Sequence, residues 1–558
     1  MKLKRHIDKL NHAFNKVRSV ISARNHVDFA LLAVFVGAIL RIKNYLEMRP
    51  LWVDECWSAI EIVNRSFWDI LRNNYIFPIS SRPPMFFVLI EKMAVVLFGD
   101  NEFALRLPPL LFSIGSVIVF YFLTKKIISP RFCLIAIWLF ALSEPLVYYA
   151  AEAKRYSTQV FAALLIWSFA VFFLKEGYRV RWLFFFGLFG AFILWLSRTS
   201  FFILFGVFLL LGLKMLSRKK YREILCLVGA AVPFSISFSL LYFFVFKEVI
   251  VGQSMKDHFS YGFWDGEPLS GGMIQWMGKV IIASISNPAG LGFPFIAFIL
   301  ILLGIRNFSK RDAWLSALFW VPLALALLAA MTGHYPYWGR VIIFVVPAYF
   351  IFLTYGLEAV FNYSFKAKFW IGAALLVIVF FQPVYDSLYY LTHSRLKTDN
   401  RKMLQFFSEN YQPGDSVYVN EGVRYPYYYY ARSLGYGKRV HKIKYTFGEG
   451  NEQRLSPLGV LVLTNFLGRQ QVLLANEYLF FNDRGSLMEV YIARTPFRVL
   501  TPENVKSILS RGRIWVLSSD LEENVFEERE KVLKMLFERA ELILSYQAQG
   551  VAAYLFKI

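Results

Sequence analysis

Through its first 390 residues the chain alternates long apolar stretches with short polar or basic segments. The stretches run over about 28–46, 103–124, 132–150, 156–174, 182–198, 200–216, 223–246, 291–306, 313–332, 339–357 and 369–390. Each is close to the roughly 20 residues that a helix needs to cross a hydrocarbon core of about 30 Å. In lipid the backbone must satisfy its own hydrogen bonds, so the pattern predicts about eleven transmembrane helices. Between the first two, WSAIEIVNRSFWDILRNNY and PPMFFVLIEKMAVVLFG carry an apolar and a polar face each and predict helices lying along the interface. From Lys397 onward the pattern changes. A helix-like TDNRKMLQFFSENY is followed by the strand-like SVYVN, PLGVLVLTN and GRIWVLSS, a charged helix ENVFEEREKVLKMLFERA, and a last strand pair AELILSYQ and VAAYLFKI. Short apolar strands alternating with helices predict a soluble α/β domain.

Composition agrees with a polytopic membrane protein. Of 558 residues 57% are hydrophobic and 18% aromatic, and the mean hydropathy is +0.45, outside the range of an ordinary soluble domain. The three cysteines, Cys56, Cys133 and Cys226, are too few and too scattered for a disulfide framework. The first apolar run has no small-residue cleavage pattern behind it, which predicts a retained anchor after a basic tail of residues 1–27.

A net charge of +22 raises the question of nucleic acid, and its distribution excludes it. Basic residues gather in alternate loops, at Lys2–Lys9, Lys125–Arg131, Lys175–Arg181, Lys214–Arg222, Arg306–Arg311 and Lys366–Lys368. Cytoplasmic loops carry such an excess. The expected topology has a cytoplasmic N-terminus, a transmembrane part over 28–390 with an outer loop at 47–102, and an extracytoplasmic domain over 391–558. The expected location is a cell (inner) membrane.

Four polar clusters fall on the outer face of this topology: Asp54-Glu55, the turn Ser81-Arg82-Pro83-Pro84, Glu152-Ala153-Lys154-Arg155-Tyr156, and Tyr335-Pro336-Tyr337-Trp338-Gly339-Arg340. Glu152, Arg155 and Tyr156, at i, i+3 and i+4, would share one face if the segment were helical. The chain has no GxGxxG or GxxxxGK[ST] pattern for a nucleotide. A sugar carried on a long-chain lipid phosphate would instead supply the activated bond. Guanidiniums suit the departing phosphate because their fork binds its oxygens in pairs, which makes Arg82, Arg155 and Arg340 candidates. A carboxylate that takes the acceptor's proton as the bond forms is worth about 10²–10⁴-fold. Asp54 is the candidate base, with Glu55 orienting it or sharing the proton.

Each residue also has a plainer reading. Carboxylates favour the first turn of any helix, and Arg41, Lys43, Arg198 and Arg340, near span ends, would ordinarily reach for lipid headgroups. Tyr425–Tyr430 reads as a packed helix face before it reads as a sugar-stacking surface. His258 and His334 could join Asp54 at a divalent metal, but no ligand spacing supports it, so no cofactor is assigned.

These motifs, in this order, resemble the GT-C class of polytopic glycosyltransferases, specifically protein mannosyltransferases and lipid A aminoarabinose transferases. The resemblance rests on W-x-D-E after the first span, a basic residue before Pro-Pro-x-aromatic-aromatic, FGDNEFALRLPPLL, E-A-K-R-Y and YPYWGRVIIFVVPAY, and it covers about residues 28–390. It implies the GT-C fold and a membrane enzyme that moves a sugar from a polyprenyl-phosphate donor to an extracytoplasmic lipid, glycan or protein. It also implies Asp54 as base, Arg82 and Arg155 as phosphate ligands, and Glu55, Glu152, Tyr156 and Arg340 in support, with Lys154 the alternative to Arg155 as the cation that faces the cavity. Two motifs depart from the usual pattern: Arg82 stands where relatives often have His or Lys, and E-A-K-R-Y replaces E-A-R-x-Y. Two alternatives remain open, a transporter or lipid flippase, and a polysaccharide ligase using a diphosphate-linked donor.

Overall fold

The computed structural model describes residues 23–72, 83–176, 180–243, 256, 259–267, 270–362, 368–412, 415–433, 460–464, 470–474, 477–481, 487–492, 512–519, 530, 533–534 and 536–558. The chain forms two compact units: residues 1–47, 80–97 and 106–393 make the first, and residues 48–79, 98–105 and 394–558 the second.

Among the described residues the first unit's regular elements are all helices. Its elements are α1 (Ala23–Leu46), α4 (Met85–Phe98), α5 (Glu102–Ile127), α6 (Pro130–Leu142), α7 (Glu144–Tyr148), α8 (Tyr156–Glu176), α9 (Val180–Leu196), α10 (Ser200–Ser217), α11 (Tyr221–Leu241), α12 (Gly271–Ser286), α13 (Pro294–Arg311), α14 (Ala313–Met331), α15 (Val346–Asn362) and α16 (Lys368–Thr392); α2 and α3 belong to the second unit. A helix coincides with each of the eleven predicted spans. Among the described residues, however, eight helices are long and apolar enough to cross a membrane, or nine if α6 and α7, bent by 53°, cross as one. The apolar part of α9, Arg181–Leu196, is short, and Arg306, Lys310 and Arg311 load α13 with charge.

At the centre lies α15. Every residue from Val346 to Glu358 on it is buried, as expected of a helix that is apolar all round. It packs so tightly on α13 that a Cβ at Gly304 would stand 1.7 Å from the Phe352 carbonyl oxygen, and one at Gly356 would stand 2.0 Å from that of Leu300. Without a hydrophobic force between helices in lipid, contacts through small residues hold the bundle together.

The second unit is mixed α/β. Its helices α2 (Val53–Asn64), α3 (Phe67–Leu71), α17 (Asn400–Asn410) and α18 (Glu421–Ser433) accompany strands β1 (416–419), β2 (460–464), β3 (470–474), β4 (477–481), β5 (487–492), β6 (513–519), β7 (541–548) and β8 (551–557). Six strands form one sheet in the order β4-β5-β1-β6-β8-β7, and β2-β3 form a separate pair. Parallel partners flank β1: Val417 faces Val490 of β5 and Trp515 of β6. Buried on both faces, β6 reads as the near-continuous apolar run Ile514–Leu517. Asp415 anchors it, accepting from Trp515 Nε1 at 3.0 Å and pairing with Arg513 at 2.8 Å. Strands β3, β4 and β5 were not foreseen from the sequence.

Candidate active site

In the first unit the site begins with a broken helix. α6 ends at Leu142 and α7 starts at Glu144-Pro145. Pro145 has no N–H to offer the Ala141 carbonyl four residues back, so the break leaves acceptors without helical partners. Side chains from other helices take them. Arg41 donates through Nη1 to Ala141 O at 3.1 Å and through Nη2 to Phe140 O at 3.2 Å, while its Nε bonds Ser113 Oγ at 2.9 Å. Ser387 Oγ reaches Leu142 O at 3.3 Å. Ser113 Oγ reaches Leu146 O at 3.4 Å, and Asn44 Nδ2 serves Val147 O at 2.7 Å and Tyr148 O at 3.1 Å. Arg41 is 0% exposed. It does not reach for headgroups as its place near a span end suggested, because these carbonyls of the broken helix hold it inside.

The chain then makes a 3-10 turn, 149–151, and leaves helical geometry at Glu152, whose φ of −118° and ψ of 127° are extended. Glu152-Ala153-Lys154-Arg155 is non-helical and α8 begins only at Tyr156. The expected shared helix face of Glu152, Arg155 and Tyr156 is therefore corrected: an irregular turn presents them. It is tied by Ser157 Oγ donating to Tyr149 O at 2.7 Å and by the Lys154 amide donating to Glu152 O at 2.6 Å. Glu152 is 0% and Lys154 6% exposed, while Arg155 is half-buried.

Tyr156 is the hub. Its ring lies 4.8 Å from that of Tyr149. The Arg155 guanidinium carbon lies 6.0 Å, and that of Arg340 5.7 Å, from its centroid. Cations favour such ring faces. Arg340 arrives on a 3-10 turn, 339–345, entered through Gly339 at φ +49°, a backbone angle that favours glycine. Tyr337 fixes this approach by donating its amide to Gly262 O at 2.8 Å and by bonding its hydroxyl to that of Tyr349 at 2.7 Å.

A third guanidinium, Arg198, stands in the short turn between α9 and α10 and donates to Pro83 O at 3.1 Å. Burial pushes the Tyr335 hydroxyl well above its ordinary range, and Arg155 and Arg198, close enough to act on it, pull it down. The sequence reading missed Arg198 as a site residue. The signal available was its adjacency to Ser197, Thr199 and Ser200 in a polar break between two apolar helices. Arg82, next to the Pro83 that Arg198 holds, lies outside the described residues, as does His258. His334 bonds Thr332 Oγ1 at 3.0 Å, and among the described residues no three His, Cys, Asp or Glu side chains stand close enough to hold a metal ion.

In the second unit Asp54 and Glu55 both occupy the first turn of α2, where the helix dipole favours carboxylates. Asp54 is half-buried. Glu55 is 2% exposed and accepts the Trp52 amide at 3.4 Å. The tyrosine run does form a packed helix face, with Tyr427 and Tyr430 buried on α18.

Residues 81–243 match the family described as dolichyl-phosphate-mannose-protein mannosyltransferase, a segment that contains Arg82, Glu152, Lys154, Arg155, Tyr156 and Arg198. No curated protein matches the chain in sequence. Among solved structures, ArnT from Cupriavidus metallidurans bound to undecaprenyl phosphate is similar at 11% identity and a TM-score of 0.52, over 96% of this chain and 98% of that one. The apo form of the same protein follows at 12% identity and 0.49, with the same coverage. Archaeoglobus fulgidus oligosaccharyltransferase AglB, in complex with an inhibitory peptide and a dolichol-phosphate, follows at 12% and 0.44, and this chain spans 63% of its length. The chain is thus a polytopic membrane protein with the GT-C fold of membrane glycosyltransferases, and residues 81–243 carry the pattern of the protein mannosyltransferase family.

Proposed function

We propose that the protein is a membrane glycosyltransferase that moves a sugar from a polyprenyl-phosphate donor to an extracytoplasmic acceptor. The observation that carries this is the gathering of Arg155, Arg198 and Arg340 about Tyr156 and Tyr335 at irregular backbone between spans. Half-buried guanidiniums brought near one another repel and favour an anionic ligand. Paired guanidiniums suit the phosphate that leaves when the glycosidic bond is made, since they stabilise charge as it develops. In this reading Arg155 and Arg340, with Arg82 and Arg198, hold the lipid phosphate, while Glu152, Lys154 and Tyr156 keep the arginines in place. Asp54 takes the proton from the acceptor's hydroxyl or amine as that group attacks the anomeric carbon and the lipid phosphate departs. Glu55, bonded to the Trp52 amide, fixes the first turn of α2 that carries Asp54.

The ArnT structure named above contains undecaprenyl phosphate, which supports this donor class. The basic loops support a cytoplasmic N-terminus and an outward site in a cell membrane. The test is purified protein in lipid nanodiscs, with release of undecaprenyl phosphate from undecaprenyl-phosphate-linked sugars as the readout. Turnover that is lost in Asp54→Asn, and weakened donor binding in Arg155→Ala, are expected. Full activity in both variants overturns the assignment, and turnover of diphosphate-linked lipids alone would move the protein to the ligase class.

A further inference from the structure

The segment that leads into α2, residues 48–52, has no regular structure, yet side chains from elsewhere in the second unit hold Met48, Leu51 and Trp52, and Arg49 reaches out to a backbone carbonyl of that unit. The Leu51 amide donates to the Tyr430 hydroxyl at 2.7 Å, and Leu51 O accepts from Asn400 Nδ2 at 3.1 Å. Leu51 is 0% exposed, so both polar groups of this buried residue need partners, and Tyr430 and Asn400 supply them. The Tyr430 hydroxyl in turn donates to Glu102 Oε1 at 3.0 Å, and Arg401 pairs with the same carboxylate. Arg401 also donates to Met48 O at 3.3 Å, Arg49 donates to Arg395 O at 2.9 Å, and the Lys397 ammonium stands 3.7 Å from the centroid of the Trp52 ring. The holding residues are themselves anchored: the Asp399 amide donates to Gln549 O at 3.0 Å, in the turn between β7 and β8.

We propose that Tyr430 and Asn400, with Glu102 behind Tyr430, are positioning residues for Asp54, so that the C-terminal α/β part takes a direct share in the reaction. The proposal rests on Asp54 being the general base. Leu51 stands three positions before Asp54, and α2 begins between them, at Val53. Fixing the Leu51 peptide therefore fixes where the first turn of α2 starts, and with it the direction in which Asp54 projects. A displacement of about 1 Å at a reacting group costs on the order of 10²-fold in rate.

The experiment uses the full chain in nanodiscs, with a lipid-linked sugar that the unaltered protein turns over, and compares Tyr430→Phe and Asn400→Ala with Asp54→Asn. Each positioning variant is expected to lower kcat about 10–100-fold with KM within about twofold, on the scale of that misplacement cost. Hydrogen exchange at the amides of residues 51–58 should accelerate, while undecaprenyl phosphate binding stays unchanged. On the residual rate of Asp54→Asn, adding Tyr430→Phe should cost nothing further, which a merely structural role would not produce. Undiminished kcat in both variants, or unchanged exchange at residues 51–58, overturns this proposal while leaving the base assignment intact. Full turnover by Asp54→Asn overturns the base assignment instead. Should a variant fail to fold, the other carries the test.

Discussion

The two units hold their charged residues in opposite ways. In the first, Arg155, Arg198 and Arg340 all stand on irregular backbone: the turn before α8, the break between α9 and α10, and the 3-10 turn at Gly339. In the second, Asp54 and Glu55 ride the first turn of a regular helix, and the stretch before that helix is bonded from outside. Non-helical backbone at membrane depth must have its carbonyls satisfied from elsewhere. The arginine cluster therefore depends on a second set of polar side chains, Arg41, Asn44, Ser113 and Ser387, that cap the broken span leading into Glu152–Tyr156. The carboxylates depend on helix geometry and on two side chains from α17 and α18. If, as proposed, the arginines bind the phosphate and Asp54 takes the proton, the two functions should fail separately.

The largest expected effect falls on the second unit. Asp54→Asn should lower kcat by about 10³-fold, within the span of general-base contributions, with undecaprenyl phosphate binding unchanged by titration. Equal loss of binding would break the division of labour. Next comes the support of the first unit. Arg41→Met strands the Phe140 and Ala141 carbonyls, each worth about 1–3 kcal/mol when buried without a partner. Calorimetry should show destabilisation of about 3 kcal/mol on that scale, and donor KM should rise as residues 149–156 slacken. Retained stability would mean that the broken span holds itself.

Arg155→Ala or Arg340→Ala should weaken undecaprenyl phosphate binding about 10–100-fold, the worth of one or two charged hydrogen bonds, with a smaller change in kcat. Arg155→Lys should recover part of the loss, since charge survives but the fork does not. A kcat loss without a binding loss would contradict the assignment of the arginines to the phosphate.

The smallest effect is on alkaline stability. Burial first, then the neighbouring Asp100 and Glu102, pushes the Tyr429 hydroxyl far above its ordinary range; burial first, then Cys56 and Glu102, does the same to Tyr430. A hydroxyl raised in the folded state favours folding while it stays protonated. Its contribution is full below the unfolded value of about 10 and declines as pH rises beyond it. The second unit should lose stability above about pH 10, and Tyr429→Phe should flatten that loss in urea titrations followed by tryptophan fluorescence. A slope unchanged by the substitution would remove Tyr429 from the account.

Local pattern carried much of this. The eleven helical stretches were legible because burial in lipid or in the bundle imposes long apolar runs, and β1, β6 and β8 because strands buried in a sheet are short and apolar, while β2 and β7 were legible from their apolar residues between turn signals. Strands β3, β4 and β5 lie in a more polar stretch where periodicity is weak. The helix-face expectation for Glu152, Arg155 and Tyr156 failed because residue spacing says nothing of whether a helix persists through it.

The sequence by itself determined that the chain spans a membrane, where its long apolar helices lie, and that carboxylates and guanidiniums recur at motif positions along it; the helix Gly271–Ser286 was not among those helices. Periodicity and composition are local, and these are local facts. Only the tertiary structure decided that Arg41 caps a broken helix, that Arg198 holds the Pro83 carbonyl, and that Tyr430 and Asn400 grip the peptide before Asp54. Each of these joins residues up to 379 positions apart. Nothing in the neighbourhood of either partner encodes such a contact, because it exists only when packing has brought the two together.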